Sequence, residues 1–182
     1  MISYYDASLC EFVSFDADSK DNYDTNFGYD GVGYESILSS REDVSFANVF
    51  TNTGSVPQKI SAAAFYTVQD GQEYEVSINR RLKTKNPADG VSVNVCTTKG
   101  TIEYNGYHTV PLNEGIIIAP GESFSVIVTF LCSDNYVYIP IEGTNSYEKV
   151  CSFGSLPNQS FLYNSYENKW MDATSYSEAG GE

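Results

Sequence analysis

Along most of this chain apolar side chains recur at every second position. Phe124, Val126, Val128 and Phe130 fall on one face of an extended segment, and Ser123, Ser125 and Thr129 on the other. That is the two-residue period of a strand with one face buried. Tyr74, Val76 and Ile78 alternate with Glu75, Ser77 and Asn79, and Val91, Val93 and Val95 with Ser92, Asn94 and Cys96. Val44, Phe46, Asn48 and Phe50 give a weaker example, and Val110 and Leu112 close a strand that begins near Tyr107. Between the runs stand Asp70-Gly71, Asp89-Gly90, Asn105-Gly106, Glu114-Gly115, Pro120-Gly121 and Glu142-Gly143, dipeptides that favour turns. Short strands spaced by roughly 8–12 residues with such punctuation predict an all-β sandwich or barrel. No stretch sustains a helical period, and at most one helical turn is expected near Tyr34–Ser39. Pro140 cannot donate to a ladder, which sets Tyr136–Ile141 at a sheet edge or ends the strand there.

The first 43 residues break this rhythm. They are rich in Asp, Tyr, Asn and Gly, with weak periodicity after a first strand expected at Cys10–Asp16. We read residues 1–43 as an acidic, Tyr-rich tether wrapping onto the domain or the last part of a linker, and residues 44–182 as the sandwich domain, with Tyr23, Phe27, Tyr29 and Tyr34 available to dock the segment. The opening MISYYDASLC lacks the basic and apolar regions of a secretory signal, so Met1 reads as the start of a fragment. The most apolar stretch, Phe124–Cys132, is about half the roughly 20 residues of a spanning helix.

Composition narrows the chemistry. The 182 residues carry 10 Lys+Arg against 24 Asp+Glu, a net charge of −14, which argues against nucleic-acid partners and anionic membranes. Apolar residues make up 41% and aromatics 14%, enough for a folded core. Cys10, Cys96, Cys132 and Cys151 lack the paired spacing of a zinc site; buried thiols and one disulfide both remain open readings. His108 is the single histidine, which excludes two-histidine schemes, and its setting in GYHTVPL reads as a strand position. No carboxylate pair sits in a recognisable glycosidase motif. Asp24, Asn26, Gly28, Asp30 and Glu35 fit an EF-hand count only in part, because Tyr29 stands where glycine is needed. Two readings of the acidic stretch are kept: a looser calcium cage from Asp16, Asp18, Asp21, Asp24 and Asp30, or a solvated loop.

The segments ANVFTNTGSVPQKISAAAFYT (Ala47–Thr67), YEVSINR (Tyr74–Arg80), Gly106–Phe130, YIPIEG (Tyr138–Gly143) and Gly154–Ala173 occur in an order that resembles a known family. It is the lectin-like domain found beside papain-like cysteine peptidases in secreted bacterial proteins. The resemblance covers about two-thirds of the chain. It implies an antiparallel β-sandwich, jelly-roll-like, an extracellular or cell-surface location, and a non-catalytic accessory role with glycan as a partner. Nothing in the chain resembles the peptidase, so the neighbouring peptidase domain would itself be a partner. The family pattern continues into one more strand beyond Ser177–Glu182, whose absence would leave an unpaired edge.

Aromatic rings suit a sugar because a flat ring face matches the C–H face of a pyranose. Trp170 leads the candidates, with Asp172 two positions on and therefore on the same strand face, and with Tyr163 and Tyr166 in the same hairpin. The rival reading gives Trp170 a packing role that clamps the hairpin. Tyr104, Tyr107, Tyr136 and Tyr138 make a second candidate patch. Two functions follow: a glycan-binding accessory module, or a module that packs on a neighbouring domain without sugar.

Overall fold

A computed structural model describes residues 22–29, 36–133, 136–141 and 156–177. Eleven strands appear in chain order: β1 (Ser36–Ser40), β2 (Val44–Thr51), β3 (Gln58–Thr67), β4 (Gln72–Arg80), β5 (Val91–Ser92), β6 (Thr98–Ile102), β7 (Gly106–Ile118), β8 (Ser123–Phe130), β9 (Val137–Ile141), β10 (Ser160–Asn164) and β11 (Lys169–Asp172). One helical turn, α1 (Thr174–Ser177), follows. All the pairings are antiparallel, so the fold is an all-β sandwich. One layer is a seven-stranded sheet in the order β11-β10-β2-β8-β4-β5, with β6 also on β4. The facing layer holds the ribbons β3-β7 and β1-β9, with β9 lying against β3.

The alternation read from the sequence sets the core. Phe124, Val128 and Phe130 of β8 and Tyr74, Val76 and Ile78 of β4 are buried against Ile60, Phe65, Val110, Leu112 and Ile118 of the facing layer. The rings interlock: Phe65 lies 5.2 Å from Tyr74 and 5.7 Å from Phe130. Each such ring removes on the order of 150–250 Å² from water, which makes these phenylalanines the largest single contributors to burial.

The turn into β8 follows from its residues. Gly121 has φ 74°, a conformation open to glycine at little cost. Glu122 folds back to accept the Ala119 N–H at 3.0 Å and binds Arg80 through both oxygens, at 2.6 and 2.7 Å. This pair is mostly shielded, and the Arg80 hydrogen bonds hold the Glu122 carboxyl below the usual carboxylate range despite its burial.

Three expectations are corrected. The helical turn near Tyr34–Ser39 gives way to β1 over its described part, because Ser36–Ser40 finds a ladder on β9. The predicted strand through Val91, Val93 and Val95 stops after Ser92. The bonds Cys96 N–H to Val93 O and Thr97 N–H to Asn94 O curl Asn94–Cys96 into a 3-10 turn. Cys96 thereby enters the core, while Val91 and Val95 face solvent. Glu114-Gly115 is not a turn but lies inside β7, where the ladder with β3 slips between Ile60 and Ala62. A Cβ on Gly115 would stand 3.0 Å from the Ile60 carbonyl and crowd the Lys59 side chain, so a larger residue at the irregularity would force its neighbours to shift.

Both faces of β2 are covered. Beyond the core face, Ala47, Val49 and Ser125 are buried on the outer face of the large sheet. Part of that cover is the loop 81–90. Its buried Pro87 accepts Asn79 Nδ2–H at 2.9 Å and Ser125 Oγ–H at 2.7 Å through its carbonyl. On another side, Phe27 and Tyr29 dock on the core: Phe27 meets Phe124 edge-on at 5.2 Å, and Tyr29 stacks on Phe50 at 4.8 Å. The Tyr29 hydroxyl donates to Val49 O at 2.5 Å, and burial raises its pKa. Tyr23 stays exposed, and Tyr34 and the expected strand at Cys10–Asp16 lie outside the described residues.

Candidate functional site

The hairpin β10–β11 gathers four of the residues singled out above. Asn164 begins its turn as a local cap: its Oδ1 accepts the N–H groups of Tyr166 and Glu167 at 3.0 and 3.1 Å. Asn168 then takes a left-handed conformation, φ 51°, to close it. Tyr163 and Trp170 stand directly opposite each other in register, with ring centroids 5.3 Å apart at 61°. The Tyr163 hydroxyl donates to Asn168 Oδ1, which ties the aromatic pair to the turn. Tyr166 at the tip is 95% exposed. Trp170 and Asp172 share a strand face, as the two-residue period requires.

Asp172 is engaged by its own chain. Its Oδ2 accepts the Asn158 N–H at 2.5 Å, and its Oδ1 accepts the N–H and hydroxyl of Thr174 at 3.0 and 2.7 Å. Burial works to raise the carboxyl's pKa, but these hydrogen bonds outweigh it and hold the group below the ordinary range. Asp172 thus pins the chain on both sides of the hairpin, including the left-handed Asn158. The Trp170 indole and Tyr163 ring above it form a fixed, half-exposed surface. Tyr107 does not join them. It lies on β7 in the other layer, opposite Tyr66, with ring centroids 4.7 Å apart.

Sequence reading missed Arg41, for it approaches Tyr136 only in the folded chain. Arg41 Nε–H and Nη2–H both donate to the Tyr136 hydroxyl, at 3.1 and 2.6 Å, and its guanidinium carbon lies 5.0 Å from the ring centroid. Tyr136 and Tyr138 are near-parallel at 28° with centroids 6.4 Å apart. A basic residue beside a turn in an acidic chain was the only available signal.

Other candidates carry less. His108 makes its ring contact with the Tyr104 carbonyl, 2.8 Å from Nε2. Cys96 is buried, and burial followed by the nearby Glu114 charge pushes its thiol pKa up. That is the opposite of an activated nucleophile. Asp24 is exposed, and Asp16, Asp18, Asp21 and Asp30 lie outside the described residues. Among the described residues no three His, Cys, Asp or Glu side chains converge as a metal site. An open depression of about 290 Å³ lies between Asn26–Tyr29 and Phe50–Thr53.

Comparison with known proteins matches the geometry to a family. A model described as "Lectin like domain" matches residues 27–180. Among solved structures, the chain is similar to the clostridial cysteine protease Cwp84 after propeptide cleavage, at 20% identity and a TM-score of 0.66. That match covers 85% of this chain and 36% of the other. It is also similar to the cysteine protease and lectin-like domains of Cwp84, a surface layer associated protein of Clostridium difficile. There the identity is 23% and the TM-score 0.60, with 79% of this chain and 31% of that one covered. The chain thus spans about a third of the length of these structures, and the likeness is one of fold. No curated protein matches it.

Proposed function

We propose that this chain, which belongs to the lectin-like domain family, is a non-catalytic accessory module. It binds glycan or the cell envelope for a larger extracellular or cell-surface protein that carries a peptidase. The observation behind this reading is the hairpin surface: a Tyr163–Trp170 pair fixed by Asn168, beside a fully projecting Tyr166. Rings held in place lose little entropy on binding, so a shallow surface can still retain a sugar. Binding is expected to be weak, because among the described residues no deep cleft surrounds the rings. That Cwp84 is a surface layer associated protein supports the location.

Glycan-array screening of the chain, with calcium and with chelator, tests this reading. Neutral or acidic glycans are expected to bind, and Trp170→Ala and Tyr166→Ala to weaken binding by about tenfold each. Tyr166→Ala should leave the melting temperature unchanged. An empty array under both conditions counts decisively against the proposal.

A second reading draws on Cwp84, whose lectin-like domain is described together with a cysteine protease domain. Here the module packs on a peptidase domain and needs no sugar. A raised melting temperature on mixing with that domain, unaffected by Trp170→Ala, would favour it.

A further inference from the structure

The corner between β1 and β2 joins two aromatic surfaces. Ser40 Oγ accepts the Glu42 N–H at 3.0 Å, and Asp43 Oδ1 accepts the Cys132 N–H at 2.8 Å, so the corner's backbone is held at both ends. Within it, Arg41 reaches Tyr136, while Glu42 Oε2 accepts from Ser165 Oγ in the tip of the β10–β11 hairpin at 3.4 Å. Tyr166 is the next residue along that tip. The tyrosine pair and the hairpin therefore flank one corner.

The chemistry of the pair is specific. A guanidinium has five N–H donors, and two of Arg41's point to the Tyr136 oxygen, leaving three. With its oxygen accepting from Arg41, the Tyr136 hydroxyl keeps its own proton available to a ligand acceptor. The ion pairs among the described residues are Arg80–Glu122, Lys99–Glu75 and Lys169–Glu167, so Arg41 has no carboxylate partner there. Glu42 beside it is directed to Ser165. In a chain of net charge −14, this gives an exposed, oriented cation with no carboxylate partner among the described residues. Tyr138, in register with the exposed Ser39, supplies an accessible ring next to it.

We propose that Arg41, Tyr136 and Tyr138 form a saccharide subsite selective for a sugar carrying a carboxylate. Arg41 and the Tyr136 hydroxyl bind the carboxylate, and Tyr138 stacks on the pyranose ring. The inference rests on the glycan-binding reading and adds a ligand class to it. A planar fork of N–H donors fits a carboxylate's two oxygens. The protein's overall negative charge opposes a dense polyanion, so an oligosaccharide with isolated carboxylates suits the site best.

The test is calorimetric titration of the full chain with trigalacturonic acid, its neutral methyl ester and a galactose trimer. An oligomer of glycerol phosphate makes a fourth arm. The acid should bind about tenfold more tightly than the ester at low salt, and added salt should erase most of that preference. Arg41→Gln should abolish the preference, Arg41→Lys should keep part of it, and Tyr138→Ala should weaken acid and ester alike. Because Arg41 is on the surface, the variants should melt with the wild type. Equal binding of acid and ester overturns the proposal, as does a preference that survives Arg41→Gln. Binding of the phosphate oligomer without the uronate also overturns it. If neutral trimer binds and Trp170→Ala removes it while no acid preference exists, the subsite fails and the hairpin reading stands. If no sugar binds at all, both fail.

Discussion

At the scale of single residues, the candidates divide by what already occupies their polar atoms. Asp172 reads in the sequence as a sugar-bonding carboxylate beside Trp170, and three hydrogen bonds from Asn158 and Thr174 already engage it. Its lowered pKa gives this a pH signature. A carboxyl whose folded pKa lies below its unfolded value contributes stability above the unfolded pKa and loses it as pH falls through the folded one. Asp172→Asn should therefore melt lower than wild type at neutral pH, by about 1–3 kcal/mol of stability. The gap should close as pH drops through and below the ordinary aspartate range of about 4. Thermal melts from pH 7 to pH 2 check this; a gap constant with pH would show that the charge is not what holds Asn158. Arg41 presents the converse case, a polar group with donors left over.

At the scale of elements, β8 carries the most weight. It lies between β2 and β4 and presents Phe124 and Phe130, almost fully buried, to the facing layer. Truncating either to Ala should cost roughly 3–5 kcal/mol, read from urea melts. A loss below about 1 kcal/mol at both would contradict the burial described, given marginal total stability. This strand was legible in the sequence because its period and its Pro120-Gly121 turn agree, and β4 was legible for the same reason. Strand β1 was not: SILSS has two apolar residues and gains its extended form from the β9 ladder alone. The Val91–Cys96 run misled because β-branched residues alternate there, while local backbone bonds at Val93 and Asn94 decide the path. Of the hairpin site, Trp170, Tyr163, Tyr166 and Asp172 were readable because they are close in sequence. Tyr107, read as part of a second patch, stands on β7 opposite Tyr66, and Arg41 was missed, since both placements depend on which strands become neighbours.

At the scale of the whole molecule, net charge and the acidic N-terminal segment come together. A net charge of −14 repels itself across the folded surface, so melting temperature should rise with sodium chloride until the repulsion is screened. Calcium adds a sharper comparison at this acidic segment. If Asp16, Asp18, Asp21, Asp24 and Asp30 gather into a cage, millimolar calcium should raise the melt beyond an equal ionic strength of magnesium. Equal effects of the two ions would leave a solvated acidic loop. The docking of Phe27 and Tyr29 on Phe124 and Phe50 gives this segment a route to global stability.

The seal that Pro87 places over the middle of the large sheet restricts how anything else approaches. With Asn79 and Ser125 tied to its carbonyl, that flank offers a neighbour a rigid lid instead of a bare strand surface. The Arg41 corner and the hairpin tip are joined separately, through Glu42 and Ser165. If a sugar and an adjoining domain both used that joined surface, binding of one would compete with binding of the other.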